Sequence, residues 1–129
     1  MKTFNEYLIE QNLEYFANIS DKALDSAYGY GLSKLGTFGY AANMGSAKFA
    51  LELLEKGITD IEELSRAIHL GWASVAKTYN DPVYATKPEK RASRLELANK
   101  DYNVLPEAEK EKDRVVARAL LSAYQNSRK

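Results

Sequence analysis

Four basic residues at helical spacing could together bind a phosphate group. They stand at positions i, i+3, i+4 and i+7 of a predicted helix, where they form one basic ridge: Lys87, Lys90, Arg91 and Arg94. Guanidinium groups offer paired N–H donors that match phosphate oxygens. The long side chains could instead lie along the neighbouring apolar seam and reach water. The sequence leaves both interpretations open.

The ridge has a shortage of nearby negative charge. Like charges at this spacing repel by a few tenths of a kcal/mol for each pair. Glu89 and Glu96 are the acids of the same predicted helix, and we expect both to project to its far side. Negative charge would then come from acids of the N-terminal half or from a bound anion.

Aromatic residues surround the ridge in the sequence, namely Trp72, Tyr79, Tyr84 and Tyr102. Aromatic rings stack on nucleobases while basic groups hold phosphates, so this combination favours a nucleotide-like ligand. Trp72 and Tyr102 also fall at apolar positions of their segments. A place in the core is therefore the alternative for these two rings.

Catalytic groups are scarce. The chain has no cysteine, which excludes disulfides, thiolate zinc sites and iron–sulfur clusters, and it has one histidine, His69. Because His69 flanks an apolar stripe three residues before Trp72, we interpret it as a hydrogen-bonded core residue. We predict a binding protein without catalysis, cofactor or metal.

Acidic residues near the C-terminus could suggest paired catalytic carboxylates. Glu107, Glu109, Glu111 and Asp113 alternate with Lys110, Lys112 and Arg114. This alternation is typical of a solvent-facing helix, so we do not interpret these acids as catalytic.

Capping signals and apolar periodicity predict about six helices. They are expected over residues 4 to 17, from Ser20 as a cap to Lys34, over 46 to 56 with Gly57 as the stop, from Thr59 to about 79, from Thr86, and from Pro106 to about 124. No strand pattern is evident. The predicted fold class is therefore all-α.

Five of the seven glycines fall between Gly29 and Gly45, among several aromatic residues. No β-branched strand precedes them, so a dinucleotide-type phosphate loop is a poor match. We interpret these glycines as positions of close backbone packing between two helices joined near residues 36 to 39. The alternative is an aromatic wall for a planar ligand.

Length and charge limit the classes of protein further. With 129 residues, of which 45% are hydrophobic, we expect one domain in which residues 1–63 and 64–124 pack together. Residues 1–65 carry 5 basic and 10 acidic side chains, whereas residues 66–129 carry 13 and 8. A neutral total argues against indiscriminate coating of DNA, while the basic second half could still attract a phosphate-bearing ligand. We expect no sequence-specific nucleic-acid partner. No membrane span or signal peptide is evident, so we expect a cytoplasmic protein.

The second half of the chain contains two recognisable motifs. Leu64–Trp72 includes a His-x-x-Trp pattern, and Tyr102–Arg114 reads Tyr-x-x-Leu-Pro-x-x-Glu-Lys-x-x-Asp-Arg. With these motifs, residues 64–124 resemble the ryanodine-receptor repeat domain, a small helical module also found in bacterial and phage proteins. The family's Gly-Trp-x-Tyr-Gly and His-Pro elements are replaced here by residues 78–84 and the basic helix. The resemblance implies a non-enzymatic binding module, whose prokaryotic relatives look like sensors of nucleotide-derived signals.

The first ten residues carry a second resemblance. Met1–Glu10 is similar to the capsid-targeting leaders of internal head proteins in large tailed phages, and Leu8-Ile9-Glu10 is similar to the Leu-x-Glu after which their protease cuts. This resemblance implies a phage protein that acts in the host cytoplasm or is packaged in the virion.

Together these observations predict a phage protein that captures a phosphate-bearing, nucleotide-derived ligand, such as a host immune signal. The ligand-binding residues are expected to be Trp72, Tyr79 and Tyr84 for stacking, and Lys87, Arg91, Arg94 and Arg114 for phosphate. The alternative is a structural or packaged virion protein that acts through protein–protein interaction. A homo-oligomer is compatible with either.

Overall fold

The computed structural model describes residues 4–29, 37–78 and 88–127. Within them the chain forms five α-helices and one short 3-10 turn, with no strand. The helices are α1 (Phe4–Tyr28), α2 (Thr37–Glu55), α3 (Ile61–Thr78), α4 (Pro88–Ala98) and α5 (Glu107–Ser127), and the turn spans Tyr102–Val104. The predicted all-α class is confirmed, and the helix number is close to that expected.

Helix α1 corrects the prediction of two separate helices in the first 34 residues. It is continuous through Ser20, whose buried hydroxyl donates a hydrogen bond of 3.1 Å to Oδ1 of Asn43 on α2. The Ser20 hydroxyl, which the sequence suggested as a helix cap, therefore bonds to a side chain of another helix. The helix stops before Gly29, which has φ +80° and donates its N–H to the Asp25 carbonyl at 2.8 Å.

The connection between α2 and α3 contains the predicted helix stop at Gly57, but the residue that caps α3 differs from the predicted one. Gly57 has φ +84°, and the amides of Gly57 and Ile58 donate to the carbonyls of Leu54 and Leu53, each at 3.0 Å. This pair of bonds is a Schellman motif, which needs a residue in the left-handed region. Asp60, not Thr59, caps α3, because its Oδ1 accepts the Glu63 amide at 2.9 Å.

Helices α2 and α3 touch backbone to backbone at Gly45 and Gly71. A Cβ atom on Gly45 would lie 2.7 Å from the Gly71 carbonyl oxygen, and one on Gly71 would overlap the backbone of Gly45 and Ser46. Ser46 donates its hydroxyl to the Ile68 carbonyl at 3.1 Å beside this contact. Gly45 is therefore a position of close backbone packing, but its partner is Gly71 on α3 and not the helix joined to α2 near residues 36–39, as the sequence had suggested.

Two apolar clusters lie on either side of this crossing. The larger cluster joins α1, α2, α3 and α5 through side chains that include Phe16, Leu54, Leu64 and Leu120. The smaller cluster joins α2, α3 and α4 through Phe38, Ala42, Ala73, Ala76 and Ala98. The apolar stripe predicted for α3 from Leu64 to Val75 is buried at Leu64, Ala67, Ile68 and Gly71 and half-buried at Trp72 and Val75. None of the described helices combines the length and apolarity that a membrane crossing requires.

The glycine contact generates a stability prediction. We expect Gly71→Ala to lower the free energy of unfolding by roughly 2–4 kcal/mol in chemical denaturation, since the new methyl group overlaps the α2 backbone. In a helix without this contact, Gly→Ala would stabilise by about 1 kcal/mol.

Gly57→Ala is the matched control, because a Cβ atom there meets nothing within 4 Å and only the positive φ is strained. It should cost about 1 kcal/mol. A Gly71→Ala variant as stable as the parent would contradict the close crossing.

Candidate functional site

The described residues enclose a cavity of about 230 Å³ between the helices. Its apolar wall comes from all five helices and includes Leu24, Phe38, Trp72, Leu97 and Val116. Its polar and charged side chains include Ser20, Ser46, His69, Arg94, Glu109, Lys112 and Asp113. A mostly apolar cavity with a few convergent polar groups is the usual form of a small-molecule site.

Two of the predicted ligand-binding residues meet at this cavity. Trp72 lies on α3 and Arg94 on α4, and both line it. The Cζ atom of Arg94 is 4.5 Å from the centroid of the buried Phe38 ring, which is a cation–π contact. Among the described residues, two acidic side chains share the cavity with Arg94. They are Glu109 and Asp113, both on α5.

Three other predicted ligand-binding residues, Tyr79, Tyr84 and Lys87, lie outside the residues that the structure describes. Arg91 belongs to α4, three residues before Arg94, but its side chain lies outside the described part. Of the four residues of the predicted basic ridge, Arg94 is therefore the one whose side chain the structure describes.

Arg114 lies outside the cavity lining and binds carboxylates. Its Nε and Nη2 atoms donate to the two oxygens of Glu62, each at 2.9 Å, and Nη1 donates to Glu107 at 3.0 Å. Tyr102 donates its hydroxyl to Glu62 at 3.1 Å. The Arg114 hydrogen bonds lower the pKa of the Glu62 carboxyl. Tyr102 and Arg114, both from the second sequence motif, thus connect the start of α5 to the start of α3.

His69 is a buried, hydrogen-bonded residue, as predicted. Its Nε2 atom lies 2.8 Å from the Lys100 carbonyl oxygen, so Nε2 carries the proton and donates. The imidazole also stacks on the Trp72 ring, with centroids 6.0 Å apart and an interplanar angle of 26°. His69 therefore orients the aromatic ring that lines the cavity.

Asp113 is the site residue that sequence reasoning missed. The interpretation of its segment as solvent-facing is wrong here, because Asp113 lines the cavity. Burial, followed by the nearby Glu109 charge, raises the pKa of Asp113 to about 8. The signal was in the sequence, since Asp113 stands three and seven residues before the buried Val116 and Leu120 and shares their helix face.

Comparisons with family models, with curated proteins and with solved structures find no match to this chain. The resemblances to the ryanodine-receptor repeat and to phage leaders therefore rest on their motifs and stay predictions. Among the described residues, no group of three His, Asp or Glu side chains could hold a metal ion.

The Arg114 network predicts a stability difference between two arginines. We expect Arg114→Gln to lower Tm by several degrees at neutral pH, because this half-buried guanidinium binds both Glu62 and Glu107, whereas Arg118→Gln, which removes a more exposed guanidinium paired with Glu111, should change Tm little. Because the folded pKa of Glu62 is depressed, the stabilisation is present above the ordinary carboxyl pKa and disappears as pH falls through the folded value. Equal Tm losses would contradict this assignment.

The raised pKa of Asp113 predicts a pH effect of the opposite sign. Between about pH 4 and about pH 8 the unfolded chain ionises Asp113 while the folded chain retains the proton, so rising pH destabilises the fold. We expect Asp113→Asn to remove this loss and to raise the free energy of unfolding at pH 8 by on the order of 2–5 kcal/mol relative to wild type. Denaturant titrations at several pH values measure the difference.

Glu55→Gln on the exposed end of α2 is the control for removal of one acidic charge. Its stability profile should follow the wild type between pH 4 and pH 8. An Asp113→Asn profile that also runs parallel to the wild type would show that Asp113 titrates as an ordinary surface acid.

Proposed function

We propose that this protein binds a small phosphate-bearing, nucleotide-derived ligand in the central cavity and leaves it chemically intact. The observation that carries the proposal is the meeting of Trp72 and Arg94 at one cavity, although they belong to different helices. The sequence had suggested these two residues for stacking and for phosphate binding, respectively. Their shared cavity supports a single ligand that uses both.

The cavity has the size and polarity for one ring and a charged group. Small-molecule sites commonly measure about 300–1,000 Å³, and the volume of about 230 Å³ lies just below that range, which suits a small ligand. Aromatic rings line it, which suits a planar base. The ligand would place its base in the cavity and extend its phosphate toward α4.

Arg94 is the main phosphate-binding group in this proposal. Lys112 also lines the cavity, and its Nζ is 3.3 Å from Oε1 of Glu109. Arg91 precedes Arg94 by three residues on α4, which extends the basic ridge by one helical turn. Phosphate bound along this face would reduce the repulsion among the basic side chains.

His69 has a positioning role in this proposal. Its Nε2–H donates to the Lys100 carbonyl, and its ring is stacked on Trp72. These two contacts hold the indole ring that would stack on the ligand.

The motif resemblances give this binding activity a biological context within the proposal. A phage protein that captures a nucleotide signal would act as a sponge, which lowers the free concentration of a host immune messenger in the cytoplasm. Carriage in the virion would deliver it at the start of infection.

A structural or packaged virion protein is the second candidate, and one surface observation favours it. Leu70 is 49% exposed and Val104 is 66% exposed. The elements that carry them are linked by the hydrogen bond from Arg66 to Asn103 at 3.2 Å. Exposed apolar side chains can contribute to a protein–protein contact.

The proposal is tested by calorimetric titration of AMP, ADP-ribose and a cyclic dinucleotide into the wild type and into an Arg91→Gln/Arg94→Gln variant. We expect the double substitution to abolish the binding seen for the wild type. A thermal melt of the variant should show that it remains folded. The recovered nucleotides should be unchanged by chromatography.

Lys48→Gln/Lys77→Gln, which removes two exposed basic residues on α2 and α3, is the charge-matched control and should bind like the wild type. A large stability loss in the double arginine variant, with no ligand bound by the wild type, would indicate that the basic ridge forms internal salt bridges and is not a ligand site. Turnover of a nucleotide would reject the binding-only function.

A further inference from the structure

Tyr28 is a cavity residue that the proposed contacts with phosphate and with Trp72 leave without a role. It is the last residue of α1 and lines the same cavity as Trp72 and Arg94. Tyr28 is 38% exposed, so it lies at the rim of the cavity, where water reaches it. Among the described residues, none forms a hydrogen bond with its hydroxyl group or a stacking or cation–π contact with its ring. A ligand at the rim therefore meets an aromatic surface that no described ring or charge occupies.

The other aromatic rings of the cavity are less accessible than Tyr28. Among the described residues, these rings belong to Phe38, His69 and Trp72. Phe38 is fully buried, and the guanidinium of Arg94 lies 4.5 Å from its ring centroid. His69 is also buried, and its imidazole is stacked on Trp72. Phe38 and His69 thus present little ring surface to a ligand, which leaves Trp72 and Tyr28.

The indole of Trp72 can stack on a ligand through one face. The His69 ring is stacked on the other face, with centroids 6.0 Å apart and an interplanar angle of 26°. Trp72 is half-buried, so part of the indole remains accessible from the cavity. A second stacking contact with the same ligand must come from a different ring, and Tyr28 is the accessible ring at this cavity.

The size of the cavity makes a contact at the rim useful. Its volume of about 230 Å³ lies just below the usual range for small-molecule sites, about 300–1,000 Å³. A nucleotide that inserts its base therefore extends beyond the cavity. An aromatic side chain at the rim can cover the part of the base that the inner wall does not reach.

We propose that Tyr28 is a second stacking residue of the site and that one base of the ligand lies against both Trp72 and Tyr28. Trp72 on α3 contacts the base inside the cavity, and Tyr28 at the end of α1 covers it at the rim. Because every base has a π-face, such stacking tolerates different bases. This inference rests on the proposed function, since it adds a base contact to the same cavity.

The chain offers a direct probe of this contact, because Trp72 is its only tryptophan. The experiment titrates AMP, ADP-ribose and cyclic di-AMP into the protein, with affinity measured by calorimetry and tryptophan emission recorded in parallel. We expect binding to quench the emission, because a nucleobase stacked on an indole ring quenches its excited state.

Two substitutions at Tyr28 separate the ring from the hydroxyl group. Tyr28→Leu removes the aromatic ring and should weaken nucleotide binding by roughly 5- to 150-fold, the range expected for the loss of one stacked ring. Tyr28→Phe retains the ring and should bind within about twofold of the wild type. In Tyr28→Leu, saturating nucleotide should still quench Trp72, because the inner contact remains.

Tyr15→Leu is the matched control, since it makes the same substitution on the same helix. Tyr15 is 55% exposed and lines a different surface groove, between α1 and α5. This variant should bind nucleotides like the wild type. A thermal melt of each variant checks that it is folded.

The outcomes separate this inference from the proposed function. Unchanged affinity in Tyr28→Leu, or a loss that Tyr15→Leu shares, would overturn the role of Tyr28 while the proposed function stands. Equal losses in Tyr28→Leu and Tyr28→Phe would assign the contact to the hydroxyl group and overturn stacking. Binding that leaves the Trp72 emission unchanged would place the base away from the indole and overturn the inference, with phosphate binding through Arg94 intact. Absence of binding of every nucleotide would reject both.

Discussion

The backbone contact between Gly45 and Gly71 is the constraint on which the rest of the fold depends. With no side chain at either position, α2 and α3 approach until backbone atoms touch, and a β-carbon on either residue would collide. The next residue on each helix, Ser46 and Trp72, lines the cavity. The close crossing therefore sets both the spacing of the two helices and the position of the aromatic wall.

The polar network at the start of α5 provides the second constraint. Glu62 near the start of α3 accepts hydrogen bonds from Tyr102 and Arg114, while the ammonium group of Lys110 lies 5.6 Å from the centroid of the Tyr102 ring. These residues of the second sequence motif link α3, the 3-10 turn and α5. Asp113 immediately precedes Arg114, so the network that holds Arg114 at the surface also fixes the turn of helix from which Asp113 enters the cavity.

The cavity brings a basic side chain, Arg94, and an acidic one, Asp113, together within a small volume. The guanidinium of Arg94 lies over the Phe38 ring, whereas burial and the neighbouring Glu109 raise the pKa of Asp113. A basic group and a carboxyl group with a raised pKa in one mostly apolar cavity are compatible with the proposed ligand, whose phosphate is joined to an uncharged base.

Local sequence determined much of the secondary structure. The stop at Gly57 depends on one residue in the left-handed region, and the stripe of α3 depends on spacing within the helix. Both signals depend on residues close together in the sequence, so they can be recognised before the tertiary structure is known. Trp72 and Arg94 could likewise be singled out by type and spacing.

Only the tertiary structure decided which of these residues meet. Ser20 resembled a helix cap, but Asn43 on α2 takes its hydrogen bond and α1 continues. Gly45 was recognisable as a close-packing residue, but its partner lies on α3 and not on the helix joined to α2 near residues 36–39. Asp113 was grouped with surface acids because alternating charge is typical of an exposed helix, whereas its burial is set by the helices opposite it. Contacts between distant segments select one partner among many of similar chemistry, and no local pattern encodes that choice.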